Sequence, residues 1–148
     1  MELELSPAVH KQVVALSASG DSLAEVGDWN GALSKYNDAW KIIPAPKNEW
    51  EASTWVLSSI ADACFFSENF QSALDALRYA MVCPGGAGNP FLHLRLGQCA
   101  FEKNELNEAV EHLARAYMLE GMKIFQNDDS KYFDFLKSKI PPPASGYW

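Results

Sequence analysis

Gly27-Asp28-Trp29-Asn30-Gly31-Ala32-Leu33-Ser34-Lys35-Tyr36-Asn37-Asp38-Ala39 decides the fold of this 148-residue chain. It reads as a glycine turn followed by a helix that sets Ala32, Tyr36 and Ala39 on one stripe. Pro44 then stops the helix. The same grammar returns twice. Glu68-Asn69-Phe70 is followed by Ala73, Leu77, Ala80 and Pro84, and Asn104-Glu105-Leu106 by Ala109, Leu113, Ala116 and Gly121. A lone pair of helices cannot cover such a stripe, so three copies predict stacked helical pairs, an architecture that usually holds another polypeptide.

Outward from these turns, each stripe finds a partner helix. Ser6-Pro7 is a helix start, and Val9, Val13, Leu16, Gly20 and Leu23 recur at helical spacing, which predicts a helix over 7–26. A second runs from Trp29 to Ile43. Residues 49–67, burying Leu57, Ile60, Ala61 and Cys64, pair with 70–82; residues 90–103, with Leu96, Gly97 and Ala100, pair with 106–119. Ala or Gly at the crossings lets the axes approach, while Tyr36, Leu77 and Leu113 fill the space beside them. Asp129-Ser130 predicts a last helix over Lys131–Ile140, covering the apolar face that a final repeat would expose. One domain over 1–140 is expected, with units at about 8–47, 48–88 and 89–121 and a cap at 122–140. The Pro-rich tail 141–148 ends in Tyr147-Trp148, which either trails free or folds back onto the repeats.

Composition limits the partners. Twelve basic and nineteen acidic residues give a net charge of -7, which repels phosphate backbones and anionic lipid, so neither nucleic acid nor membrane is expected. No apolar run approaches the roughly 20 residues of a membrane span, and MELELSPAVH lacks the basic and apolar parts of a secretory signal. A cytoplasmic setting is the expectation. Cys64, Cys83 and Cys99 have no CxxC spacing and are expected as reduced, buried thiols. No metal or cofactor is expected.

Nor does any catalytic constellation emerge. The histidines have no serine or cysteine partner in a recognisable nucleophile context, and His112 follows Glu111 on a helix. Pro84-Gly85-Gly86-Ala87-Gly88 lacks the Gly-Lys-Ser/Thr ending that cradles phosphate, so it reads as a flexible inter-repeat loop. The chain is not expected to be an enzyme.

The pattern resembles the tetratricopeptide repeat (TPR) family, carried by Leu16, Gly20, Leu23, Gly27, Trp29, Ala32, Tyr36, Ala39 and Pro44 in the first copy and their counterparts in the other two. The resemblance spans roughly 8–121 and implies an all-α fold, three antiparallel helix pairs in a right-handed superhelix with a C-terminal capping helix. The spacing departs from the family's period of about 34 residues: Ala32 to Ala73 is 41 and Ala73 to Ala109 is 36. The extra length at Pro46–Glu51 is expected to lengthen the start of the next helix and to alter the superhelix locally.

In that family the first helix of each pair lines a concave groove. Carried over residue by residue, the resemblance implies that Asp21, Glu25, Trp55, Asp62, Phe65, Phe66, Phe91, Arg95, Gln98 and Glu102 face a partner, with Val14, Ser17, Ser58, Ser59 and Leu94 beside them. Acids among aromatics suit a basic segment with apolar anchors; the alternative for Phe65, Phe66 and Phe91 is packing between units. The family's carboxylate clamp, which grips the C-terminal acid of heat-shock chaperones, is not expected, since Ser17, Asp21, Ser59 and Phe91 stand at its places and only Arg95 fits.

A second resemblance lies in Ala114–Pro143, ARAYMLEGMKIFQNDDSKYFDFLKSKIPPP, which is similar to the C-terminal part of small TPR proteins encoded beside Rhs-type bacterial toxins. It implies a bacterial immunity protein that covers the basic surface of a cognate toxin domain. The other reading is an adaptor or secretion chaperone holding a client peptide in the groove. The sequence leaves self-association open.

Overall fold

The computed structural model describes residues 4–148, which form helices and connecting turns with no strand. The chain divides into two compact units, one ending at Gly88 and the other spanning Asn89–Trp148. The first holds α1 (Pro7–Glu25), α2 (Trp29–Ile42), α3 (Glu51–Phe66) and α4 (Phe70–Ala80). The second holds α5 (Pro90–Glu102), α6 (Leu106–Glu120) and α7 (Ser130–Lys139).

The three turns that define the repeat are one device used three times. Gly27, Glu68 and Asn104 each end the first helix of a pair with φ of 80°, 61° and 59°. The next residue's amide then reaches back to a carbonyl in the last helical turn: Asp28 to Leu23 at 2.9 Å, Asn69 to Cys64 at 2.7 Å, Glu105 to Ala100 at 2.9 Å. Each satisfies a carbonyl that the helix end would leave orphaned. The helix starts are capped from within the sequence. Ser6 Oγ accepts from the amide of Val9 at 3.3 Å, Asp28 Oδ1 from Gly31 at 2.9 Å, Asn89 Oδ1 from Phe91 at 2.9 Å and Asp129 Oδ1 from Lys131 at 3.0 Å.

Within each pair the crossing residue is small because the partner helix touches it. A Cβ on Gly20 would lie 2.7 Å from Tyr36 Cδ1, and one on Gly97 2.7 Å from Leu113 Cγ. Ala61 takes the same place in α3, buried like its partner Leu77 on α4. The stripes Ala32–Tyr36–Ala39, Ala73–Leu77–Ala80 and Ala109–Leu113–Ala116 are all buried. Leu74, Leu77 and Leu113 are fully buried, each contributing about 1.5–3 kcal/mol relative to exposure.

The 41-residue spacing is taken up by a short turn and by a longer start to α3. Residues after Pro44 form a separate 3-10 turn, Lys47–Glu49, and α3 begins at Glu51, ten residues before Ala61, whereas α5 begins seven before Gly97, so the start of α3 is the longer one. The insertion serves as a cap. Lys47 Nζ donates to the carbonyls of Ile43 (2.7 Å) and Trp40, and lies 4.6 Å from the Trp40 ring centroid. A cation there meets the negative end of α2. Ser53, buried in α3, donates back to the Lys47 carbonyl.

The glycine-rich loop is also tighter than its sequence suggests. Gly86 is buried, its amide donates to Cys83 O at 3.1 Å, and Thr54 Oγ1 on α3 donates to Pro84 O at 2.7 Å. The Ala80 carbonyl lies where a Cβ on Gly86 would stand, so only glycine fits.

In the second unit a 3-10 turn, Met122–Phe125, precedes α7. Ile124 and Phe125 join Leu94, Leu113, Ala116 and Leu136 in one buried cluster, so α7 is part of this core. The tail splits the alternatives the sequence left open. The Trp148 ring sits edge-on to Tyr117 at 5.4 Å and to Phe133 at 5.8 Å, whereas Tyr147 is 79% exposed. Cys64, Cys83 and Cys99 are buried and in no disulfide among the described residues, and burial pushes the Cys64 and Cys83 thiols up in pKa.

Candidate functional site

The residues expected to meet a partner fall into two groups with different fates. In the first unit they remain on the surface. Asp21, on α1, is exposed, and its Oδ1 accepts a 2.6 Å hydrogen bond from the Tyr36 hydroxyl on α2. Tyr36 is otherwise buried against Gly20, and Asp62 on α3 also acts on its hydroxyl. Burial, the Asp21 hydrogen bond and the two carboxylates hold Tyr36 well above the ordinary tyrosine range, so it stays a neutral donor. Its role is geometric: it fixes the Asp21 carboxylate without neutralising it. Glu25 is exposed at the end of α1.

The same unit carries the expected aromatic rings. Trp55 is 38% exposed and lies edge-on to His10, with ring centroids 6.2 Å apart. Phe66, 48% exposed, stacks on Trp29 at 4.7 Å; Phe65 meets Phe66 and Phe70 edge-on at 5.2 and 5.8 Å. Phe65 is therefore largely engaged in its ring cluster, while Trp55 and Phe66 still present faces to solvent.

In the second unit most of the expected contacts are used internally. Gln98 is fully buried, so the expectation that it touches a partner is corrected. Its Oε1 accepts from Arg95 at 2.8 Å, and its Nε2 is buried with no hydrogen-bond partner. Arg95 also pairs with Asp128 at 3.9 Å, on the segment leading into α7. Glu102 accepts from the Tyr132 hydroxyl at 2.8 Å and pairs with Lys131 Nζ at 2.7 Å, both on α7. Of this set only Phe91, 64% exposed, stands open. Leu94 is in the core.

One pair escaped sequence reasoning. His93 and His112, nineteen positions apart, face each other across α5 and α6 with Nδ1···Nδ1 at 2.9 Å and rings 18° from parallel. Only their placement on two antiparallel helices, His93 eleven residues before Asn104 and His112 eight after it, could have signalled it. No group of three or more His, Cys, Asp or Glu side chains able to hold a metal occurs among the described residues, and no described helix is long and apolar enough to cross a membrane.

This helical arrangement is the tetratricopeptide repeat fold. The chain superposes on the Arabidopsis OM64 TPR domain with a TM-score of 0.70 at 22% identity, covering 89% of this chain and 99% of that one. It matches the second TPR domain of human RPAP3, solved in complex with the HSP70 peptide SGPTIEEVD, with a TM-score of 0.69 at 16% identity over 88% and 96% of the two chains. The first TPR of Spaghetti (RPAP3), bound to the HSP90 peptide SRMEEVD, gives 0.66 at 18% identity over 86% and 92%. No protein-family model and no curated protein matches the sequence.

Proposed function

We propose that this chain is a protein-binding module, and specifically an immunity protein that captures and neutralises a cognate bacterial toxin domain through a basic surface of that domain. The observation that carries the binding reading is the exposed Asp21 carboxylate held by Tyr36, with Asp62 acting on the same hydroxyl and the open rings of Trp55 and Phe66 on the same unit. Carboxylates and aromatic faces exposed on one unit suit lysine or arginine side chains, by ion pairing and by cation–π contact. The peptide complexes of similar TPR domains support a protein ligand. Those peptides end in acids, however, and this chain carries a net charge of -7, with its Arg95 already bonded to Gln98 and Asp128. The ligand proposed here is of the opposite charge.

The toxin assignment rests on the resemblance of the segment Ala114–Pro143. A small acidic body that covers a basic catalytic surface would gain from electrostatic steering, because capture must precede damage. The test is coexpression with the product of the adjacent gene. Protection that is lost in Asp21→Lys/Asp62→Lys, with helical content unchanged, supports both the role and the site. Undiminished toxicity in the presence of the native chain removes the immunity reading. Protection that survives the double substitution moves the contact away from the first unit's acids.

A further inference from the structure

We propose that the His93–His112 pair is a proton-limited clasp between α5 and α6, which makes the second unit, and not the first, loosen in mildly acidic solution. The geometry carries this independently of any binding partner. His93 is 2% exposed, and its Nδ1 lies 2.9 Å from the Nδ1 of His112. At that distance one ring donates N–H and the other accepts, so exactly one proton lies between them.

The chemistry of the next protons follows. A first added proton can go to the outer nitrogen of the donor ring, giving an imidazolium that donates to a neutral imidazole. A second must go onto the accepting Nδ1, and two N–H groups would then point at each other between two cations. That state breaks the bond. The charges acting on His112 from α6 are Glu108 and Glu111, which favour its protonation, and Arg115, which opposes it; from α5 the opposing group is His93 itself. Burial comes first among the causes and, with His93, outweighs the two glutamates, so the His112 pKa lies below the ordinary histidine value.

The sign of the effect follows from linkage. Unfolded, the His112 imidazole takes its proton at the ordinary histidine value; folded, it takes it at lower pH. Stability is therefore complete above about pH 6.5 and falls as the pH drops through the unfolded pKa towards the folded one. The other histidine, His10, lies on α1 beside Trp55, outside this seam.

The experiment uses the full chain. Imidazole resonances are followed by NMR from pH 8 to 4.5, together with amide exchange corrected for its intrinsic pH dependence. His112 is expected to titrate below the ordinary histidine value, with protection in α5 and α6 falling at least tenfold between pH 7.5 and 5 while α1–α4 hold. In His112→Asn, whose amide stands near the Nδ1 position and takes no proton, that selective fall disappears. Titration of His112 at or above the ordinary histidine value overturns the proposal, as does an equal loss of protection in both units or an unchanged fall in the variant. If the variant does not fold, the native titration alone decides.

Discussion

Tyr36 shows how one side chain links core and surface. Its ring occupies the space that Gly20 leaves, and its hydroxyl emerges only far enough to hold Asp21. Tyr36→Phe keeps the ring and removes the bond. A hydrogen bond to a charged but exposed group is worth about 1 kcal/mol, and urea denaturation should show a loss of that order. If the acidic face binds a basic partner, the same variant should slow association, since Asp21 loses its fixed orientation. Glu68 offers the opposite test. It adopts the left-handed conformation that Gly27 takes in the first copy, and a side chain there costs about 1 kcal/mol. Glu68→Gly should raise the denaturation midpoint by a corresponding amount, and a lowered midpoint would mean that the Glu68 side chain contributes more than its backbone costs.

Among the elements, the antiparallel pair is the unit that sequence resolves best. The turns, the small crossing residues and the stripes are local, so Gly27, Gly97 and Ala109 could be placed from spacing alone. Gly97 is the sharpest case. A methyl group there would meet Leu113 Cγ at 2.7 Å and the Leu113 backbone nitrogen at 2.9 Å, and backbone cannot rotate away. Gly97→Ala should destabilise the second unit by about 1–3 kcal/mol, measured by thermal or urea unfolding, although alanine is the better helix former. The second pair tolerates Ala61 at the same register. What spacing could not show is where α7 sits. Its Tyr132 and Lys131 reach Glu102 from about thirty residues away, and Asp128 takes Arg95. These contacts depend on the path of the Met122–Phe125 turn, which no periodicity announces. For that reason Arg95 and Glu102, which looked like part of a partner's landing site, bond to the cap segment. The insertion before α3 was legible only in part: its length was visible, but the reach of Lys47 back to α2 was not.

For the molecule as a whole, charge is the property that acts at a distance. A net charge of -7 gives a field that precedes contact, and salt shortens its range to about 8 Å at physiological ionic strength. Association with a basic protein should therefore slow by an order of magnitude or more between 20 and about 500 mM salt, with dissociation changing much less. Stopped-flow mixing separates the two. A salt-independent association rate would place the recognition on the apolar rings, Trp55 and Phe66, and take the acids out of the account. Within each unit the stripes supply the cohesion: the first is closed by Ala32, Ala73 and Leu77, the second by Leu94, Leu113 and Leu136.

The docked end of the tail gives the second unit an optical label of its own. Trp29, Trp40, Trp50 and Trp55 all precede Gly88, which leaves Trp148 as the sole indole after it. With its ring 5.4 Å from that of Tyr117, it is placed to receive the excitation energy of that tyrosine and to lose it on release. Replacing the four earlier tryptophans with phenylalanine would turn the emission of Trp148 into a direct reading of whether the C-terminal segment is seated, at any pH or salt concentration.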